Sequence, residues 1–274
     1  MSSIVTEQGI LHYESIGRGQ PIILLHGWIN SWDVWRDSMI ALAGEDKSYR
    51  VYALDFWGFG DSAKGNGTAV ESGEPYQISS YVEMVHQFMD TLGILSAPVA
   101  GHSMGGTVAL QLALAYPDRI KKVAVVGSPI IGSSMNPFLK LAGYGWIATL
   151  VWRYPFMLST IMRILLAGDS KKVRQMIFRD VQRTSIESFF RSIGDLRDTD
   201  LRSELDHLHL PALGIYGRKD NIVSPSNADL LAKGTENAQV TMMEFSRHFP
   251  MTDEPEKFVN TLTQFLSSNN HHEN

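Results

Sequence analysis

The chain predicts an α/β fold: a mostly parallel sheet with helices on both faces, interrupted once by a block of helices. Three observations lead there. Short uncharged apolar runs such as residues 22–25 and 123–126 read as strands covered on both faces. These runs alternate with stretches of helical periodicity, as over residues 78–92. The alternation stops near residue 130 and resumes at Ala212, with no convincing strand between. The chain therefore divides into a core, residues 1–129 and 201–274, and a helical insertion, residues 130–200.

Taken in order, residues 9–15 and 21–25 read as strands split by the turn Gly17-Arg18-Gly19-Gln20. Asp33 is placed to cap a helix reaching about Gly44. Residues 49–54 form the next strand, which ends in the glycine-punctuated loop from Asp55 to Ser62. Residues 64–74 are a polar, glycine-rich excursion expected to be exposed. The helix over 78–92 is marked by Tyr81, Val82, Val85, Phe88, Met89 and Leu92. An apolar run then meets an abrupt turn at residues 101–106, followed by an uncharged helix over 107–116 that closes at Pro117. After the insertion come a strand at 212–216, a helix beyond Ser224 and a strand at 239–245. A final helix runs from Glu254 to about Leu266, with Pro255 in its permitted first-turn position.

Composition excludes several classes. Hydrophobic residues make up 44% and charged residues 19%, the balance of a soluble protein with an ample core. A net charge of −5 gives no reason to expect nucleic acid as a partner. The absence of cysteine excludes disulfides and thiolate chemistry and fits a reducing, cytoplasmic setting. Residues 1–8 lack the basic cluster and apolar run of a leader. His271 and His272 close a polar tail and make a poor metal site without further ligands.

The turn at 101–106 contains Gly101-His102-Ser103-Met104-Gly105, a G-x-S-x-G pattern between a strand and a helix. Such a turn forces its serine into a strained backbone conformation, so the residues two places either side must be small. The strain lifts the Ser103 hydroxyl clear of the sheet, and the helix behind it aims its positive end at the reacting atoms. A serine hydroxyl needs a base, and the base needs an orienting acid. His248 follows the last predicted strand and Asp220 the one before it, so the chain order is Ser, Asp, His. In a parallel sheet the loops beyond the carboxyl ends share one edge, which should bring these three together. An acyl-transfer oxyanion needs two backbone donors. The Met104 amide supplies one, and the loop His26-Gly27-Trp28 supplies the other through the Trp28 amide. His26 is expected to brace that loop by hydrogen bonding, and His102 to point away from Ser103.

The set resembles the α/β-hydrolase superfamily: His26-Gly27-Trp28, Asp55-x-x-Gly58-x-Gly60-x-Ser62, Gly101 to Gly106, Gly217-x-x-Asp220, and His248 with Glu254-Pro255 downstream. The resemblance covers residues 9–268. It implies the α/β-hydrolase fold, with an eight-stranded mostly parallel sheet and a helical cap at about 130–200, and it calls for no cofactor and no metal. The loop from Asp55 to Ser62 is similar to a structural loop of that family and is assigned no catalysis. Ser103 stands where haloalkane dehalogenases and epoxide hydrolases have Asp, which argues against those activities. The carbon–carbon hydrolases of meta-cleavage pathways often have Asn before the serine and Trp after the histidine, where this chain has His102 and Phe249. The His-Gly-Trp loop and short cap resemble small carboxylesterases, including the type that cleaves methyl esters of carrier-protein-bound acyl chains.

The insertion is the clue to substrate. From residue 138 to 166 it carries Trp, Phe, Met, Leu and Ile, with charges only at Lys140, Arg153 and Arg163. Apolar walls suit an acyl or aromatic group, so Trp28, Phe138, Trp146, Trp152 and Phe249 are the expected substrate contacts. Arg153, Pro155 and Arg163 break the run below the roughly 18 apolar residues that a membrane span needs. Stable membrane insertion is therefore not expected, and transient contact of a lid with a lipid surface stays open. The expected function is a serine hydrolase that cleaves small-molecule carboxylic esters through an acyl-enzyme, as a monomer or small homo-oligomer. Carbon–carbon hydrolysis, thioester hydrolysis and perhydrolysis on the same residues remain open. So does a receptor without catalysis.

Overall fold

The computed structural model describes residues 2–6, 9–44, 49–62, 76–166 and 168–268. The expected excursion at 64–74 and the tail at 271–274 lie outside the described residues. In chain order the first elements are β1 (Ser2–Thr6), β2 (Gly9–Gly17), β3 (Gln20–Leu25), α1 (Arg36–Ala43), β4 (Tyr49–Leu54), α2 (Ile78–Thr91), β5 (Ala97–His102), α3 (Met104–Ala115) and β6 (Ile120–Val126). Five helices follow: α4 (Pro137–Ala142), α5 (Gly145–Arg153), α6 (Pro155–Leu165), α7 (Lys171–Val181) and α8 (Ile186–Asp198). The chain closes with β7 (Ala212–Gly217), α9 (Asn227–Gly234), β8 (Ala238–Met243), α10 (Pro250–Asp253) and α11 (Pro255–Ser267).

The strands form one eight-stranded sheet in the order β1-β2-β4-β3-β5-β6-β7-β8. β2 pairs antiparallel with both neighbours, and every pair from β4 to β8 is parallel. The last four residues of β3 and of β4, and all six of β7, are buried whichever way they point. Burial on both faces is what selects Ile, Leu, Val and Ala there without alternation. α2 and α3 pack together, as do α1 and α11, and Trp35, just before α1, meets Phe258 of α11 at a ring distance of 6.1 Å.

Register brings the carboxyl ends of the strands level. Leu25 pairs with Gly101, His102 with Val126, and Gly217 with Met243. The loops after β3, β5, β7 and β8 therefore leave the sheet along one edge.

Two details differ from the sequence reading. Asp33 caps no helix: it lies in a 3-10 turn (Trp32–Trp35) before α1 and accepts hydrogen bonds from Arg36 Nε and Arg179 Nη1. An ion pair to α7 has taken the side chain that a cap would use. β1 is a short edge strand of alternating burial, too brief to announce itself by pattern.

Among the described residues, 130–200 contains no strand, only isolated bridges at Ile131 and Met135. Its helices are held unequally. α7 and α8 begin at Ser170 and Ser185, each accepting a backbone N–H three residues on. They are tied to the core where Ser31 Oγ donates to Asp180 Oδ2 and Trp28 Nε1 donates to the Phe189 carbonyl. α5 packs on α8, α6 and α4, and α6 is tied to the core at its end, where the Leu165 carbonyl accepts from Asn221 Nδ2 at 3.1 Å.

Candidate active site

Ser103 sits between the last residue of β5 and the first of α3, with φ 52° and ψ −120°. For a non-glycine residue this is a strained left-handed conformation, of the kind that persists only where its surroundings enforce it. Those surroundings are glycine backbone. A methyl group on Gly105 would lie 2.5 Å from the carbonyl oxygens of Leu25 and His26, and one on Gly101 would overlap the Gly105 carbonyl. The elbow is thus wedged against the end of β3. The Ser103 N–H donates to Val126 O at 2.8 Å, so β6 fixes the turn from the other side.

His248 and Asp220 come from the loops after β8 and β7. The imidazole Nδ1–H donates to Asp220 Oδ2 at 2.8 Å. The other carboxylate oxygen accepts from the backbone N–H groups of Ile222 at 2.8 Å and Val223 at 3.0 Å, which leaves the carboxylate little freedom to rotate. Gly127 lets β6 end against the pair: a methyl there would stand 3.3 Å from His248 Nδ1. Ser103, Asp220 and His248 are all buried. Ser103 and His248 line one cavity, without a hydrogen bond between them among the described residues. Contacts of this type commonly tighten only when substrate binds.

The loop after β3 closes on the serine from the opposite side. A methyl on Gly27 would lie 3.1 Å from Ser103 Cβ and 2.8 Å from His102 Nδ1. His26 braces this loop: its Nδ1–H donates to Gly27 O at 2.7 Å, and its Nε2 accepts the Phe56 N–H at 3.0 Å. That pairing fixes a neutral tautomer, and burial pushes the imidazole below its ordinary value in the same sense. Among the described residues, neither the Trp28 nor the Met104 backbone N–H has a backbone acceptor. Ile29, beside Trp28, has φ 53°, a second strained residue on the same rim.

His102 turns away from the cavity and under His248. Its Nε2–H donates to the His248 carbonyl at 2.8 Å, and its ring packs on His248 and Phe249 at 4.7 and 4.8 Å. Burial, followed by the nearby His248, holds it well below its ordinary value, so it is neutral.

The cavity has a volume of about 50 Å³. Of the residues expected to contact substrate, Trp28 and Phe249 line it. Phe138 and Trp146 do not: they are 56% and 72% exposed on the outer side of the insertion. Trp152 belongs to α5, and its side chain lies outside the described residues. The insertion's share of the wall is aliphatic instead: Leu139, Leu165, Leu166, Ile177, Ile193 and Leu196. The i, i+3 pair Ile193 and Leu196 on amphipathic α8 carried a readable pattern, but periodicity alone does not separate a cavity face from a core face.

Asp169, between α6 and α7, is buried, and among the described residues neither of its oxygens has a hydrogen-bond partner. Burial pushes its carboxyl up to about 6, with Asp253 adding and Arg247 and His248 opposing. Nothing in the sequence marked it. Asp55, in contrast, is fully engaged, accepting from His12 Nδ1 at 2.8 Å, Trp32 N at 2.7 Å and Asp61 N at 2.8 Å. His12, Asp55 and Asp61 lie close enough to hold a metal ion. However, the Asp55 carboxylate is bonded to His12 Nδ1 and the Asp61 carboxylate pairs with Arg183 at 2.7 Å, so both carboxylates already have partners in the protein.

Comparison with known proteins agrees with this architecture. Residues 20–180, more than half of the chain, match the family described as alpha/beta hydrolase fold. The chain is 27% identical over 261 residues to the pimeloyl-[acyl-carrier protein] methyl ester esterase of Aeromonas hydrophila, covering 92% of this chain and 98% of that protein. Among solved structures, it is similar to a bromoperoxidase from Bacillus anthracis (TM-score 0.83, 24% identity, 97% and 100% of the two chains). It is also similar to the enol-lactonase from Burkholderia xenovorans LB400 (TM-score 0.81, 24% identity, 97% and 100%).

Proposed function

The chain belongs to the α/β hydrolase fold family, and on that premise we propose that it is a serine hydrolase of carboxylic esters with an aliphatic acyl group. The observation that carries the reading is the 2.8 Å bond from His248 Nδ1 to Asp220 Oδ2 on the wall of a cavity that Ser103 also lines.

His248 Nε2 takes the proton of the Ser103 hydroxyl as the oxygen attacks the ester carbonyl. Charge developing on the carbonyl oxygen is met by the backbone N–H groups of Met104, at the positive end of α3, and Trp28. The imidazolium then protonates the leaving alcohol as the carbonyl re-forms. A water molecule, deprotonated by His248, attacks the acyl-enzyme and releases the acid. Asp220 keeps Nδ1 protonated and the ring oriented throughout. The acyl chain lies among Leu139, Ile177, Ile193 and Leu196, with helices α4–α8 as the cap over the site, and the chain needs no metal or organic cofactor for these steps.

The Aeromonas relative's name specifies a methyl ester, which supports a small alcohol as the leaving group. A panel of p-nitrophenyl and methyl esters graded by acyl length tests the proposal. Turnover should favour medium aliphatic chains and fall by about 10⁴-fold or more in Ser103→Ala with folding intact. Undiminished turnover by that variant would remove the mechanism.

A further inference from the structure

The outer side of the insertion exposes a surface the ester chemistry does not use. Phe156 is 78% and Trp146 72% exposed, and Leu150, Tyr154 and Ile164 are exposed beside them on α5 and α6. Side chains of this size do not ordinarily cluster in water. The charges on this stretch are of one sign. Between residues 130 and 168 the sequence has Lys140, Arg153 and Arg163 and no Asp or Glu, although the whole chain carries −5. Arg153 and Arg163 are exposed, and among the described residues neither forms an ion pair. Aromatic and aliphatic groups flanked by unpaired cations match the boundary layer of a negatively charged bilayer, where rings sit at headgroup level and cations meet lipid phosphate.

We propose that α5 and α6 form a peripheral docking surface for an anionic lipid bilayer. Among the described residues no helix is long and apolar enough to cross a membrane, so the contact is interfacial. The hairpin is anchored from behind, by Val151 and Leu165, which are buried, and by the bond from Asn221 to the Leu165 carbonyl, while its exposed side carries the aromatic and cationic groups. A second copy of the chain is a poorer occupant, because it would set the same cations against themselves. The docking would place α6, whose last residue Leu165 lines the cavity, against a lipid surface. It does not depend on the ester reading, since binding is measured without turnover.

The test is co-sedimentation of the full chain with vesicles of phosphatidylcholine containing about one-third phosphatidylglycerol, and with phosphatidylcholine alone. Binding to the anionic vesicles that weakens between about 0.1 and 0.5 M salt is expected. Arg153→Glu/Arg163→Glu should lose at least about 25-fold in affinity, at roughly fivefold per cation removed. Phe156→Ser/Ile164→Ser should also lose binding, with turnover of a soluble ester and the melting temperature retained. No binding to anionic vesicles, or equal binding to neutral ones, overturns the proposal. So does a dimer in light scattering that Phe156→Ser/Ile164→Ser converts to monomer, which would assign the face to a second copy.

Discussion

Replacing Asp169 with asparagine should stabilise the protein at alkaline pH and progressively less as the pH falls. The carboxyl is buried without a hydrogen-bond partner among the described residues, and burial raises it from 3.8 to about 6. At about 1.36 kcal/mol per unit of pKa, that rise corresponds to about 3 kcal/mol. The folded state holds this proton to higher pH than the unfolded chain does. Its contribution to stability is therefore fully present below pH 3.8 and lost as pH rises through about 6. Asparagine has nearly the same shape and no charge to desolvate. Its advantage should be about 3 kcal/mol at pH 8 and about half that at pH 5, or roughly 6 °C and 3 °C in melting temperature for a chain of this size. Thermal melts of both proteins across pH 5–8 make the comparison. A difference that is flat with pH, or that narrows as pH rises, would refute the reasoning.

Other changes separate the supporting residues from the reacting ones. His102→Ala removes the donor to the His248 carbonyl. Ester kinetics should show kcat reduced about tenfold with KM little changed, a cost of order 1–2 kcal/mol for one buried bond. Trp28→Phe keeps the ring against Phe189 and deletes the Nε1 bond to the Phe189 carbonyl. Its melting temperature should fall by about 2–3 °C, for about 1 kcal/mol, with turnover nearly intact because the backbone N–H is untouched. Gly105→Ala drives a methyl against the carbonyls of Leu25 and His26. The elbow must open, so turnover should be lost along with about 1–3 kcal/mol of stability by denaturant titration.

The sheet was legible because its central strands are buried on both faces, and such strands write themselves as Ile-Ile-Leu-Leu or Val-Ala-Val-Val. The elbow was legible because glycine is the residue that fits where Gly101 and Gly105 touch backbone. The brace made by His26 is legible as well, since a histidine opening a loop after a buried strand has backbone groups on either side to bond. The cavity wall was not legible. The aromatic side chains of 138–156 drew attention by size, yet Phe138 and Trp146 face outward while smaller aliphatics on α7 and α8 face in. Helical spacing reports that a face is apolar and does not say what it meets. Asp33 shows the same limit at short range, where a partner 146 residues away in sequence overrides a local capping preference. Asp169 depends on its surroundings from the loop around Arg247 and Asp253, which no local pattern encodes.

The most direct measurement is the intact mass and peptide map of the protein after reaction with a fluorophosphonate, which traps a serine only when a neighbouring base activates it. One adduct on the peptide containing Ser103, formed rapidly and abolished by His248→Ala, is the expected result. An unmodified protein, or an adduct on another residue at the same rate in Ser103→Ala, would contradict it.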